Sequence, residues 1–430
     1  MDSMTVIADH ISDTALFENL SRWIKSRDKD PDRVLIVPPD ATRSHSKAGT
    51  ITQHLYQLFS SYCDVDIMPA LGTHEPMDEE ALQSMFGDEI PQSCFKVHRW
   101  REDVTNIGTI PEGYVEEVSD GVVSYPIEVE VNERILDPAY DDIISVGQVV
   151  PHEVVGMANY TKNIVVGCGG ANIINRTHFL GAAWGMERLM GRDFSPVRRV
   201  LDYAEEHFLD DLPLTYMLTV TQLVEDQNQF HGLYIGSDRE NFERAVKLSQ
   251  GKNVTLLDEP VDRAVVYLDP EEFKSTWLGN KAIYRTRMAM ADDGELLILA
   301  PGVDKFGEDE RIDELIRTYG YTGTEQVMND VRENDELQED LSAAAHLIHG
   351  SSEGRFRITY APGGLTQDEI EGVGYEYAEL SEMMKQYDPD QLEEGHTTTP
   401  DGEEIFFVPN PGVGLWAAED QFERHNSGSE

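Results

Sequence analysis

The side chains best suited to chemistry lie close together in VVPHEVVGMANYTKNIVVGCGGANIINRTHFLG, residues 149–181. His152, Lys162 and His178 bring a base, a primary amine and an imidazole able to ligate a metal, with nine and then fifteen residues between them. Histidine titrates near neutral pH and can both take a proton and return it. After the lysine, NIVVGCGGAN reads as an apolar strand running into glycines. The backbone N–H groups around Gly167, Gly169 and Gly170 could approach an anion there, ahead of a helix containing AAWGMERLMG. That turn is neither GxGxxG nor a Walker motif, so it specifies no ligand by itself.

Two earlier segments look built to meet these residues. RVLIVPPDATR is an apolar strand, Val34 to Val37, that breaks at Pro38-Pro39 into Asp40, Thr42 and Arg43. In an open parallel sheet, ligand groups sit just past the carboxyl ends of strands. Asp40 could hold a hydroxylated ligand there and Arg43 an anion; equally, Asp40 could cap a helix and leave Arg43 on a solvated turn. A second strand, VDIMPA (65–70), ends at Gly72-Thr73-His74, before the helical EPMDEEALQSMFG with acidic residues in its first turn. The strand DIISVGQVV then delivers Pro151-His152-Glu153. Three strand ends thus each offer a polar functional group.

The elements that must position these groups imply an α/β protein of two domains, since 430 residues exceed what one small core organises. The expected division is 1–258 for a first domain and 259–402 for a second. The strand-like 403–425 could return to the first, and the active site is expected in the cleft between them. Helices are read at TALFENLSRWIKSR and AGTITQHLYQLFSS, and a hairpin from PLTYMLTVTQL to HGLYIGS. In the second domain RAVVYLD, ELLILAPG and FRITYAP read as strands. KAIYRTRMAMA, DERIDELIRTYG, TEQVMNDVREN and LTQDEIEGVGYEYAEL read as helices. EEIFFVPNPGVGLW reads as strand and HNSGSE as a frayed tail.

Composition narrows the partners. The net charge is −47, from 34 basic and 81 acidic residues, which argues against nucleic acid or an anionic membrane surface. With 11 Lys against 23 Arg, the acidic surface suggests adaptation to salt, and an ordinarily acidic cytosolic enzyme is the plainer alternative. Cys63, Cys94 and Cys168 are too few and scattered for a disulfide framework or a zinc ribbon. The start MDSMTVIADH has no signal-peptide pattern, and no apolar run approaches a membrane span. A soluble, cytoplasmic protein is expected, with its oligomeric state open.

The set DATR (40–43), GTHEPM (72–77), PHE (151–153), Lys162 and His178 resembles the nickel-pincer lactate racemase family in order and spacing, and TWLGNK (276–281) resembles its C-terminal lysine motif. The resemblance implies a two-domain α/β enzyme, a racemase or epimerase of 2-hydroxy acids. It implies as cofactor the nickel-pincer nucleotide, nickel held by pyridinium-3,5-bisthiocarboxylic acid mononucleotide, with cofactor biosynthesis proteins as partners. Lys162 would match the lysine that tethers the cofactor, and His178 the nickel ligand. His74 and His152 would match the paired acid/base histidines. Asp40, Thr42 and Arg43 would lie on the cofactor and substrate side of the first loop, as would Gly169 and Gly170 on the cofactor side. Lys281 would face a substrate carboxylate with Trp277 beside it.

The chemistry explains the residue types. Inverting a carbon that bears hydroxyl and carboxylate by hydride removal requires the protein to take the hydroxyl proton at the same time. One base for each antipode accounts for two histidines. Soft sulfur and imidazole suit nickel, and a lysine cation suits a carboxylate. The chain departs from the family at Asn159-Tyr160-Thr161, where Gly-Gly-Arg is usual, and at Leu278, where a glutamine usually stands three residues before the C-terminal lysine. A tryptophan expected near 341 is missing. These departures leave the hydride machinery and point to a larger substrate, a sugar acid such as mannonate or gluconate; the chain resembles the branch called D-mannonate epimerase. A lactate or other short-chain racemase, or a nickel-free nucleotide-binding or dehydratase-like descendant, remains the alternative. His346, His349, Ser351, Ser352 and Arg355 could meet extra hydroxyls, or could form a helix end and its cap.

Overall fold

Apolar strands and amphipathic helices alternate along the first half of the chain, and in the computed structural model they build a mixed sheet between helical layers. The structure describes residues 3–224, 227–412 and 414–424; the tail HNSGSE lies outside them. Two units divide the chain, Met1–Thr177 with Gly191–Asn253, and His178–Met190 with Val254–Glu430.

The first unit contains β1 (Met4–Ile7), β2 (Arg33–Val37), β3 (Asp64–Ile67), β4 (Val104–Ile110) and β5 (Ile127–Asn132). It continues with β6 (Asp142–Gln148), β7 (Pro151–His152), β8 (Gly156–Met157), β9 (Leu214–Val224) and β10 (Gln227–Gly236). Six of these strands form a sheet in the order β1-β10-β9-β6-β2-β3. β3, β2, β6 and β9 run parallel, while β10 and β1 are each antiparallel to their neighbour. Val34 of β2 lies opposite Val65 on one side and Asp142 on the other. The chain leaves β2 for β3 on one flank and later places β6 on the opposite flank, which makes the β2/β6 boundary a topological switch point, where open sheets bind ligands.

Burial explains the composition of these strands. Every residue of β6 is buried, so its side chains do not alternate between core and solvent, and its polar members Asp142, Ser145 and Gln148 are buried with the rest. The helices α1 (Asp13–Lys25) and α2 (Ala48–Phe59) bring Leu16, Leu20, Trp23, Ile51, Leu55 and Phe59 into one core with Val34 and Ile36 of β2 and Phe230 and Leu233 of β10. Each such side chain contributes about 1.5–3 kcal/mol through burial. Asp78 caps α3 (Glu79–Phe86) by accepting the Ala81 N–H, and α4 (Glu112–Val118) joins the strands of the β4–β5 hairpin.

The segment NIVVGCGGAN is not a strand. Thr161–Val165 is a short helix, α5, followed by a turn and then by α6 (Ala171–Trp184). A short, wholly buried apolar run carries no period that separates strand from helix, and packing decided. The glycines serve this tight turn: a Cβ on Gly167 would lie 2.4 Å from the Asn163 carbonyl oxygen, and one on Gly169 2.0 Å from that of Val165.

In the second unit, β11 (Val254–Leu257) pairs with β18 (Leu415–Ala418). A six-stranded sheet holds β12 (Val261–Tyr267), β13 (Met290–Ala300), β14 (Arg357–Pro362), β15 (Glu376–Tyr377), β16 (Gly395–Thr398) and β17 (Glu404–Val408), in the order β15-β14-β13-β12-β17-β16. All but β16 run parallel. Several expectations change here. The EEIFFVPNPGVGLW stretch forms β17 and β18 within this unit and does not return to the first. LTQDEIEGVGYEYAEL breaks into the helix Gln367–Gly372, β15 and the helix Leu380–Gln386, because Gly374 takes a left-handed φ of 94°. KAIYRTRMAMA is helical only over Lys281–Thr286, and its Met290 already opens β13. Val265, Leu297, Leu299, Ile405 and Phe407 pack with the buried Tyr387 in the core. Among the described residues no helix is long and apolar enough to cross a membrane.

Candidate active site

Three adjacent parallel strands of the first unit, β3, β2 and β6, end in the polar groups anticipated from sequence. Past β2, Asp40 caps the short 3-10 helix Ala41–Ser46, its Oδ1 accepting the Thr42 N–H at 3.2 Å and the Thr42 hydroxyl at 2.5 Å. Its other oxygen, Oδ2, lies 2.5 Å from His74 Nδ1, past the end of β3. Asp40 is therefore both the cap and the histidine's partner, and the two readings of DATR are not exclusive. Burial alone would push the Asp40 carboxyl up, but His74, the Thr42 hydroxyl and Arg43 together outweigh it and hold the group below the ordinary carboxylate range. The His74 side chain is 55 % exposed, so its ring projects from this anchor into solvent.

Past β6, His152 sits in the two-stranded β7–β8 turn and is 5 % exposed. The backbone N–H of Val154 donates to its Nδ1 at 3.1 Å, while the Glu153 carboxylate stands 3.6 Å from the same nitrogen, beyond hydrogen-bond length.

Lys162 lies on α5, and its two neighbours fix that helix. Asn163 Nδ2 donates to the Val37 carbonyl at the end of β2, at 3.0 Å, and to Ser145 Oγ on β6, at 2.9 Å. Thr161 donates its hydroxyl to Glu205 at 2.8 Å. The lysine is thus stationed across the switch point itself. The lysine is half-buried. Burial disfavours the ammonium, the Arg43 and Arg198 guanidiniums repel it, and Glu153 and Asp40 only partly offset them, so its pKa is pushed down to about 8. Those same charges locate the lysine: it feels Asp40 and Arg43 past β2 and Glu153 past β6, and Asp40 in turn holds His74 past β3. Arg43 is half-buried and makes no ion pair among the described residues.

Before Lys162 the backbone is held left-handed at two successive non-glycine residues, Asn159 (φ 68°) and Tyr160 (φ 59°). Each costs on the order of 1 kcal/mol or more. Packing supplies the compensation. The Tyr160 ring stacks on Phe242 at 5.2 Å and meets Tyr216 at 4.5 Å. Arg198, fully buried, donates to the carbonyls of Met157 (2.9 Å) and Asn159 (3.1 Å).

Gly169 and Gly170 do not offer free N–H groups. They donate to the carbonyls of Val166 and Glu130, at 3.1 and 3.2 Å, and the Glu130 carboxylate accepts the Asn172 N–H at the start of α6, at 3.0 Å. The helix end already holds an internal anion, and a Cβ on Gly170 would lie 2.4 Å from it. The turn instead supports the histidine loop, since the Gly167 carbonyl accepts the Gly72 N–H at 2.8 Å.

The remaining sequence candidates belong to the second unit. His178 is half-buried on α6. Trp277 and Lys281 are half-buried on the consecutive helices Thr276–Gly279 and Lys281–Thr286. The Trp277 ring stacks at 4.3 Å on His346, whose pKa burial drives down to about 3, so that imidazole stays neutral. Arg355 is spent on structure, pairing with Glu187 at 2.8 Å and Asp292 at 2.9 Å, while Ser351 Oγ accepts the Glu353 N–H. The SAAAHLIHGSS stretch is accordingly a helix, Leu341–His349, with its end. Sequence reasoning missed Asn163, Arg198 and Glu205. Only Asn163, a lone amide in an apolar run, left a local sign.

A sheet that gathers an amine, a carboxylate–imidazole pair and a second histidine at its switch point is similar to a described domain class: residues 6–187 match the lactate racemase N-terminal domain family. Among solved structures, a Thermotoga maritima protein matches with a TM-score of 0.81 and 24% identity, covering 96% of this chain and 100% of that one. The lactate racemase apoprotein from Thermoanaerobacterium thermosaccharolyticum matches with a TM-score of 0.70 and 15% identity, over 96% of this chain and 94% of that one. No curated protein matches the sequence.

Proposed function

We propose that the protein is a racemase or epimerase that inverts the C2 carbon of a 2-hydroxy acid, with a sugar acid such as mannonate or gluconate as substrate. The observation that carries this reading is the cluster of groups past the ends of β2, β3 and β6, where Lys162, with its proton loosened to about pH 8, lies among the charges of Arg43, Asp40, which holds His74, and Glu153 beside His152. The match of residues 6–187 to the lactate racemase N-terminal domain supports it.

The residues fit a tethered nickel-pincer nucleotide. A partly neutral amine suits covalent attachment, and Arg43, with no ion pair among the described residues, suits the nucleotide's negative charge. Among the described residues no group of three or more His, Cys, Asp or Glu side chains could hold a metal ion. A nickel ligated by His178 would therefore need its other ligands from the organic group, as a pincer provides. When bound, that group would supply the hydride acceptor and donor for C2. The chain's own part is to bind the acid through a cation, Arg43, and to move the hydroxyl proton through an imidazole as the C2 hydrogen leaves and returns.

The test is expression with the cofactor-making proteins and nickel, followed by intact mass and a chirality-resolved screen of C2-epimeric sugar acids and short 2-hydroxy acids. A mass increment on the Lys162 peptide together with C2 inversion of a sugar acid is expected. Turnover with an unmodified Lys162 would overturn the tethering. Inversion of lactate alone would favour the short-chain reading, to which the fold shared with a lactate racemase lends its support.

A further inference from the structure

Three consecutive carbonyls in the turn between α5 and α6, those of Gly167, Cys168 and Gly169, each accept from a different segment of the first unit. Gly167 takes the Gly72 N–H at 2.8 Å, two residues before His74, and Cys168 takes the Asn132 N–H at 2.8 Å, at the end of β5. Gly169 takes a ring proton, from His98 Nε2 at 3.1 Å. The Asn132 amide closes the arrangement. Its Nδ2 donates to His98 Nδ1 at 3.0 Å, and its Oδ1 accepts the Arg134 N–H at 3.0 Å. A carbonyl oxygen accepts and an amide nitrogen donates, so the Nε2–H form of His98 is set from both sides. His98 and Asn132 are 2 % and 1 % exposed, and burial pushes the imidazole's pKa down, which keeps it neutral. The segment carrying His98 is itself joined to the end of β3, where the Lys96 N–H donates to the Ile67 carbonyl at 2.8 Å. Within the turn, the Gly167 N–H donates to the Lys162 carbonyl at 2.9 Å, so the turn is bonded to the lysine's backbone as well as to the histidine loop.

We propose that His98 is a positioning residue for the C2 inversion: held by Asn132, it fixes the Gly167–Gly169 turn, and through that turn both the His74 loop and the helix that carries Lys162. This rests on the function proposed above and adds to it a group that touches no substrate. Gly72, Gly167 and Gly169 have no side chains with which to hold themselves in place, and glycine gives up more conformational freedom on ordering than any other residue. Their order must therefore come from partners outside the turn, and His98 supplies one of three. A reacting group displaced by about 1 Å can cost about 10²-fold in rate, so a clamp away from the chemistry can still control it. Phenylalanine at position 98 keeps a ring but offers neither nitrogen, leaving the Gly169 carbonyl and the Asn132 amide without these bonds in a buried place. Glutamine places an amide nitrogen near the position of Nε2 and can donate to Gly169 again.

Amide hydrogen exchange on the cofactor-free protein tests this without any turnover. In wild type, the Gly72 and Asn132 amides should be protected to within about tenfold of each other, because one turn closes both. A wider gap overturns the proposal, even if H98F should fail to fold. In H98F both amides should lose about tenfold or more in protection while the β9–β10 amides keep theirs, and H98Q should recover most of the loss. Unchanged protection in H98F, or an equal loss throughout the sheet, overturns it. In holoenzyme, H98F should lower kcat by about 10²-fold with KM changed by less than about threefold, the pattern of a group that acts on the reacting geometry and not on binding. H98Q should stand within about tenfold of wild type. A kcat unchanged in H98F, or a loss confined to KM, also overturns it. Should no 2-hydroxy acid turn over in wild type, the proposed function fails while the exchange data still decide whether His98 holds the turn.

Discussion

Replacing Lys162 by methionine should stabilise the cofactor-free protein at neutral pH, and the gain should vanish in alkali. The amine titrates at about 8 in the fold against an ordinary 10.5, because burial and the Arg43 and Arg198 charges disfavour the ammonium. Each pKa unit corresponds to about 1.4 kcal/mol, so the ammonium costs the folded state about 3 kcal/mol below pH 8. The sign follows from proton counting. Between about pH 8 and 10.5 the unfolded chain binds the proton more tightly than the folded one, so wild-type stability rises across that window and the cost is gone above it. Methionine fills a similar volume and carries no charge, so K162M escapes the cost at every pH. Thermal melts of wild type and K162M from pH 6.5 to 10.5 read the difference directly. The variant should melt higher at pH 7, with the two curves converging as the pH approaches 10.5. A gap that is constant with pH, or one that favours wild type at pH 7, would refute the account of Lys162 as an amine disfavoured by burial and by the Arg43 and Arg198 charges.

Other variants probe the neighbouring features. D40N removes the charge facing His74 Nδ1 and should lower holoenzyme kcat by about 10²-fold or more, measured with the saturating substrate found in the screen. E187Q strips the carboxylate shared by Arg287 and Arg355 and should cost roughly 3 kcal/mol in denaturant unfolding, since it leaves buried guanidinium charge uncompensated. G170A forces a Cβ to within 2.4 Å of the Glu130 carboxylate that caps α6 and should cost about 1–3 kcal/mol in the same assay. Raising KCl from low to molar concentration should raise the melting temperature if the −47 charge is an adaptation to salt, and a flat response would dispose of that idea.

What was legible in the sequence is what depends on near neighbours. The runs before Asp40, His74 and His152 are apolar and end abruptly in polar groups, so their strands and strand ends could be read locally, and the sheet brings three of them side by side. The lysine's helix could not. Ile164 and Val165 favour strand by propensity, and the helix that holds them is anchored by contacts away from it in the chain, Asn163 to Val37 and Ser145. Arg198 and Glu205 serve the site from 36 and 43 positions past Lys162, and nothing in their own sequence neighbourhood announces it. The glycines misled for a related reason. A Gly-rich turn before a helix invites an anion, but here the anion is Glu130, supplied by a strand 40 positions before Gly170.

The backward-wound corner at Asn159 and Tyr160 bears on how a cofactor would be received. Because aromatic stacking and the Arg198 clamp already pin those two residues, the direction of the nucleophile's stem is fixed while the protein is empty. A guest would find its attachment point aimed in advance and would spend little of its affinity on ordering the host. Glycines at the two positions would fit the same path without strain and would surrender that rigidity, exchanging a set bracket for a hinge.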